Sequence, residues 1–167
     1  RRVLFRSWGN RNWHPLLTDT LREMADAGVK RALAFVTSGF SCYSGCRQYR
    51  ENIAAAREAV GPRAPEVDKI RVFFNHPGFV GPLAANLRRA LEHFDPAARP
   101  DVPVLFTAHS IPLSMADGCR YVPQLEEACR LVAAAAGVRD WRLVWQSRSG
   151  PPSQPWLEPD VCRSGEH

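Results

Sequence analysis

Long apolar runs are missing from this chain of 167 residues. No stretch approaches the roughly 20 apolar residues needed to cross a bilayer, and no charged-then-apolar leader stands before the first periodic segment. A soluble, cytoplasmic protein with no transmembrane segment is therefore expected. Lysine is nearly absent: Lys30 and Lys69 are the only two among 22 basic residues. Arginine, alanine and proline are abundant instead, which is the usage of a GC-rich genome and says nothing of a ligand. The formal charge is +5, yet the arginines are scattered and no basic block alternates with exposed aromatics, so no nucleic-acid partner is expected. Cysteine is sparse and odd in number. Cys42, Cys46, Cys119, Cys129 and Cys162 stand at irregular spacings, which argues against a secreted disulfide framework and for reduced thiols. Neither a G-x-G-x-x-G turn nor a G-x-x-x-x-G-K-[ST] loop is present, which argues against a nucleotide cofactor. A G-x-S-x-G elbow is missing too, which leaves an ordinary serine hydrolase without support.

What is there is a 45% hydrophobic composition, enough for a sizeable core. Short apolar runs alternate with helical stripes. Pro15 opens a helix with Leu17, Leu21, Met24 and Ala25 on one face, closed by Gly28. Residues 31–37 (RALAFVT) read as a strand. Cys46, Tyr49, Ile53, Ala56 and Val60 mark a second helix. A strand is expected over 70–74, then a helix with Leu83, Leu87, Ala90, Leu91 and Phe94 inward, a strand over 102–107 (VPVLFT), a helix marked by Leu125, Ala128, Cys129, Val132 and Ala135, and a last strand over 141–145 (WRLVW). Apolar strands separated by helices predict an α/β fold whose parallel sheet is covered on both faces. Such sheets hold ligands at the C-terminal ends of their strands. The segments to search are therefore 37–43, 75–77, 108–112 and 146–150.

Two features concern the ends. The first seven residues, RRVLFRS, read as the translation of a sequencing-library adapter and are expected to be non-native; without Arg1, Arg2 and Arg6 the charge falls from +5 to +2. The polar VCRSGEH follows PWLEPD with no closing element, so the chain is expected to stop early.

Among the strand-end segments, Thr107-Ala108-His109-Ser110-Ile111-Pro112 carries the one clear chemical group. A neutral imidazole between small neighbours can bind a metal ion or take a proton near neutral pH, although a lone histidine at a strand end also serves structure alone. TAHSIP resembles the signature of ferrochelatases. GNRNWHPLL with LREMADAG, FVTS, YSGCRQYRENI and WQSRSGPPSQPWLEPD resemble ferrochelatase segments too, in order, across residues 8 to about 160. The chain is identified on these motifs as a member of the ferrochelatase family.

The resemblance implies the ferrochelatase (chelatase-like) fold, two similar α/β domains with four-stranded parallel sheets. Residues 8–98 would be the latter part of the first domain and 99–167 the beginning of the second. It implies insertion of Fe2+ into a porphyrin in haem biosynthesis. His109 would be the catalytic, metal-side residue, facing a glutamate from the second domain that lies beyond residue 160; Glu158 does not replace it. Tyr49 would touch the porphyrin, or simply continue the core stripe with Ile53 and Val60. Cys46 would supply one ligand to a 2Fe-2S cluster in the full-length protein, or be a small buried residue. The substrate expected is coproporphyrin III, converted to coprohaem, as in GC-rich Gram-positive bacteria, with protoporphyrin IX the other choice, and the protein is expected to be a monomer. Two other readings stay open: a porphyrin- or haem-binding protein without catalysis, and a chelatase for another metal and tetrapyrrole. His14, His76, Arg47 and Arg50 carry no assignment. Trp141 and Trp145 are expected in the core.

Overall fold

A computed structural model describes residues 7–163; all but the last residue of the adapter-like heptapeptide, and the final four residues, lie outside it. The chain divides into two compact units. One comprises the residues up to Ser38 with Tyr43–Arg71, the other Gly39–Cys42 with the residues from Val72 onward.

In the first unit, α1 (Leu17–Asp26) buries Leu21 and Ala25 of the expected stripe, leaves Leu17 and Met24 half-buried, and buries Thr20 besides. Ahead of it, Asn10 N–H donates to Pro15 O (2.8 Å) and Leu17 N–H donates back to Asn10 O (2.9 Å), closing the turn. Gly9 is needed there, because a Cβ would come within 3.0 Å of Thr20 Oγ1 and 3.2 Å of the Leu17 Cα. The helix stops where Gly28 takes φ +75°, a conformation glycine adopts without a Cβ clash. Next come β1 (Arg31–Ala34), a five-residue π-helical turn (Tyr43–Arg47), α2 (Gln48–Val60) and β2 (Glu66–Lys69). α1 packs on α2, and β1 pairs with β2 in parallel, Arg31 opposite Glu66 and Ala34 opposite Lys69.

The second strand is therefore Glu66–Lys69 and not 70–74, and the first ends at Ala34 and not at Thr37. Glu66 N–H donates to Lys30 O and Ile70 N–H to Ala34 O, so the ladder is held by backbone bonds along a segment, EVDK, that carries almost no apolar signal. The apolar run that suggested a strand serves packing instead. Phe73 and Phe74, in the second unit, join Phe40 and Phe79 in an aromatic cluster with centroids 5.4–6.5 Å apart.

The second unit contains α3 (Pro77–Leu91), β3 (Val104–His109), the five-residue α4 (Leu113–Asp117), α5 (Tyr121–Ala136) and β4 (Trp141–Gln146). β3 and β4 are parallel, Val104 opposite Trp141 and His109 opposite Gln146. Each sheet has two strands among the described residues. α3 packs on α5, but its inner face is Ala84, Leu87 and Leu91; the expected Leu83, Ala90 and Phe94 are exposed. α5 buries Leu125, Ala128, Cys129 and Val132 as expected, while Ala135 is exposed. Its end is a left-handed Gly137 at φ 76°. Gln124 is buried yet satisfied: Ser41 N–H donates to its Oε1 (2.7 Å) and its Nε2 donates to Ser41 Oγ (3.0 Å), which ties residues 39–42 into this unit.

Helices flank these parallel sheets, as expected for an α/β fold, though among the described residues one face of each keeps exposed side chains. On β3 the row Val104, Phe106, Ala108 packs into the core with Trp141, Leu143 and Trp145 of β4, whereas Leu105, Thr107 and His109 are exposed. In β1, Leu33 is 73% exposed. Burial alternates along β1 and most of β3, whereas β4 buries Val144 and Trp145 in succession. Among the described residues no helix is long and apolar enough to cross a membrane.

Candidate active site

His109 is the last residue of β3, so the strand runs two residues further than expected and its final rung pairs His109 with Gln146. Both strands of a parallel pair end at the same edge, which brings the 108–112 and 146–150 segments together. The His109 side chain is exposed and makes no hydrogen bond or ion pair among the described residues. Its backbone carbonyl accepts from Tyr121 Oη at 3.1 Å.

Tyr121 is buried at the start of α5, with its ring against Phe40 and Trp145, both centroids 6.1 Å away. Burial pushes its phenol from the ordinary value of 10.0 up to about 12, with the thiols of Cys42 and Cys119 adding in the same direction. The hydroxyl therefore stays protonated, and stays a donor to His109 O, across the whole working range. The same cause raises the Cys129 thiol to about 11 and leaves it an unreactive member of the core, as expected from the helical stripe. A group whose folded pKa is raised gives stability that is complete below its unfolded pKa and lost as pH rises through the folded one. The second unit is expected to hold its melting temperature up to about pH 9 and to lose it steeply between pH 9 and 12. Thermal melts across that range check this, and Tyr121→Phe should flatten part of the slope.

In the first unit, Tyr49 is half-buried in the first turn of α2. The guanidinium of Arg11 lies over its ring at 4.9 Å, a cation–π contact, and Arg11 NH1 donates to Ser44 O at 3.4 Å. Arg11 Nε is buried without a partner. Sequence reasoning missed Arg11, because 38 residues separate it from Tyr49 and no periodicity links them. Cys46 is a half-buried free thiol inside the π-helical turn, a local irregularity often found at functional sites. Glu51 secures that turn: it accepts from Tyr43 Oη (3.0 Å) and from Arg47 Nε (3.0 Å). The first bond holds the Tyr43 phenol above its ordinary range. Arg47 is thereby an exposed helix-surface pair. His76 caps α3, its Nδ1 accepting from Gly78 N–H at 3.0 Å, and His14 offers its carbonyl to Asn10 Nδ2 at 3.2 Å.

A 2Fe-2S cluster needs four ligands, usually thiolates. Among the described residues no group of three or more His, Cys, Asp or Glu is placed to hold a metal. The described residues therefore do not complete a cluster site.

The ferrochelatase family profile matches residues 3–166. The chain belongs to the ferrochelatase family. It is 64% identical over 154 residues to a ferrochelatase of Rhodopirellula baltica, a match covering 92% of this chain and 44% of that one. It is 54% identical over 166 residues to a coproporphyrin III ferrochelatase of Frankia alni, covering 92% and 43%. It is 50% identical over 163 residues to the coproporphyrin III ferrochelatase of Mycolicibacterium smegmatis, covering 96% and 47%. The chain thus spans less than half the length of these ferrochelatases.

Proposed function

We propose that the full-length protein containing this chain inserts Fe2+ into coproporphyrin III in haem biosynthesis. Residues 8–98 are then the latter part of its first chelatase domain and 99–167 the opening of its second. Family membership supports the reaction class. Two of the relatives are named for coproporphyrin III, which supports the substrate. The observation that carries His109 is its unpartnered, exposed imidazole at the C-terminal end of a parallel strand whose backbone is held from several sides.

Insertion exchanges two pyrrole N–H protons for Fe2+, so the macrocycle's charge falls by two while the metal brings two positive charges. Each proton needs an acceptor beside the ring, and the metal must shed water as it enters. His109 takes a pyrrole proton or ligates the entering iron. Tyr49, with Arg11 behind it, offers an aromatic face to the porphyrin. Iron is the substrate metal here, not a resident one. The reading also carries a cytoplasmic monomer, which sedimentation of the purified protein tests.

The test is an anaerobic assay of the full-length gene product against several divalent metals and tetrapyrroles. Iron insertion into coproporphyrin III at a higher kcat/KM than into protoporphyrin IX supports the proposal. Rapid cobalt insertion with none of iron would replace it by a different chelatase, and tight porphyrin binding without insertion of any metal by a binding protein.

A 2Fe-2S cluster in that protein would take one ligand from Cys46 and three from outside this chain. Cys46→Ser is then expected to abolish the cluster's visible absorbance in anaerobically purified protein. An unchanged spectrum would remove Cys46 from the ligand set.

A further inference from the structure

We propose that Ser110 is a positioning residue for His109, working through the segment 155–160 that crosses the strand ends; the proposal rests on the ferrochelatase reading only for its link to turnover. Ser110 is 2% exposed, the most buried polar side chain of the second unit. Its N–H donates to Gln146 O (2.8 Å) and its Oγ donates to Leu157 O (2.9 Å). Leu157 N–H returns a bond to Ile111 O (3.1 Å), and Leu113 N–H donates to Pro155 O (3.0 Å). Pro112 and Trp156 form an antiparallel bridge, and Trp145 N–H donates to Pro159 O (2.9 Å).

Residues 109–113 are thus stitched to β4 on one side and to 155–157 on the other, while Tyr121 holds the His109 carbonyl. Among the described residues the imidazole has no partner of its own to orient it. Its placement must therefore come from the backbone that carries it, and a misplacement of about 1 Å is enough to cost turnover heavily. Ser110 is the one side chain in this turn that bonds the crossing segment. Removing its hydroxyl leaves Leu157 O without that donor and frees the backbone next to His109.

The experiment compares Ser110→Ala, Ser110→Thr and wild type in the full-length protein. The proposal expects kcat for metal insertion to fall about tenfold or more in Ser110→Ala, with KM for the porphyrin within about twofold and with Ser110→Thr recovering most of the loss. A folded Ser110→Ala protein with a lowered melting temperature but wild-type kcat, measured well below that temperature, overturns it. Should Ser110→Ala not accumulate, Ser110→Cys, close in volume but a weak donor, is read by the same criteria. If wild type inserts no metal into any tetrapyrrole, the ferrochelatase reading is lost. NMR relaxation at the His109 amide in the full-length protein then decides the clamp alone: a lower order parameter in the variant supports it, and an unchanged one rejects it.

Discussion

Replacing His109 by alanine in the full-length protein is expected to reduce iron insertion by about 100-fold or more while porphyrin binding and the melting temperature stay near wild type. The three parts of that expectation have separate physical grounds. Loss of rate follows from the chemistry, because two pyrrole protons must leave and the imidazole is the basic side chain at the end of β3. Retention of the fold follows from the site: the side chain is exposed and bonds nothing among the described residues, and surface substitutions of that kind stay within about 0.5 kcal/mol. Retention of binding follows because a large, flat macrocycle is held by contact over its whole face and by its carboxylates, to which one exposed imidazole adds little. Rate measured under anaerobic conditions, porphyrin fluorescence titration and thermal melts together check it. Near-normal turnover in the variant would remove His109 from the reaction. A fall in melting temperature of several degrees would show instead that the residue serves the fold.

The elements legible in the sequence are those in which apolar spacing and local structure agree. β3, α5 and β4 are such elements, with long apolar runs or stripes and, for α5, a glycine at the exact point where a left-handed turn is needed. β2 was hidden because EVDK pairs through its backbone while its side chains are exposed or only half-buried. The neighbouring Phe73 and Phe74 gave a false strand signal, since aromatic clustering and strand burial leave the same mark in a sequence. α3 was legible at Leu87 and Leu91 but not at its start: Pro82 before Leu83 and two alanines after it leave the stripe ambiguous, and packing selects Ala84 over Leu83. α4 is too short to show a period.

The candidate site divides in the same way. His109 stood out because strand ends in parallel sheets are where ligands gather, and its motif matched a family. The bonds around it were invisible, because Ser110 meets Leu157 across 47 residues and Tyr121 reaches the His109 carbonyl across 12. Local pattern carries no information about such pairings. Arg11 over Tyr49 is a third case. What could be read was thus the reactive group, and what could not was the scaffold around it.

That scaffold has one side chain on which most of its parts converge, and its removal is expected to give the largest loss of stability. Trp145 is 4% exposed and lies in the cluster of Ala108, Ile111, Tyr121 and Leu125, with Phe40, Met115 and Leu157 packed against it. Trp145→Ala should destabilise the second unit by about 3–5 kcal/mol, the cost of deleting a buried aromatic together with the cavity left behind. For a unit of this size that corresponds to a fall in melting temperature of about 15–30 °C. Trp141 provides the internal comparison. It sits four residues earlier on β4, half-buried, against Phe106 at 5.9 Å, so Trp141→Ala forfeits less contact and should cost about 1–2 kcal/mol. Urea unfolding of both variants, followed by far-ultraviolet circular dichroism, measures the difference. Equal losses would spread the weight of the core along the whole of β4, and a larger loss for Trp141 would place it at the Val104–Trp141 end. A larger loss for Trp145 places it beneath His109, where Tyr121, the crossing segment and the strand ends all rest on the same indole ring.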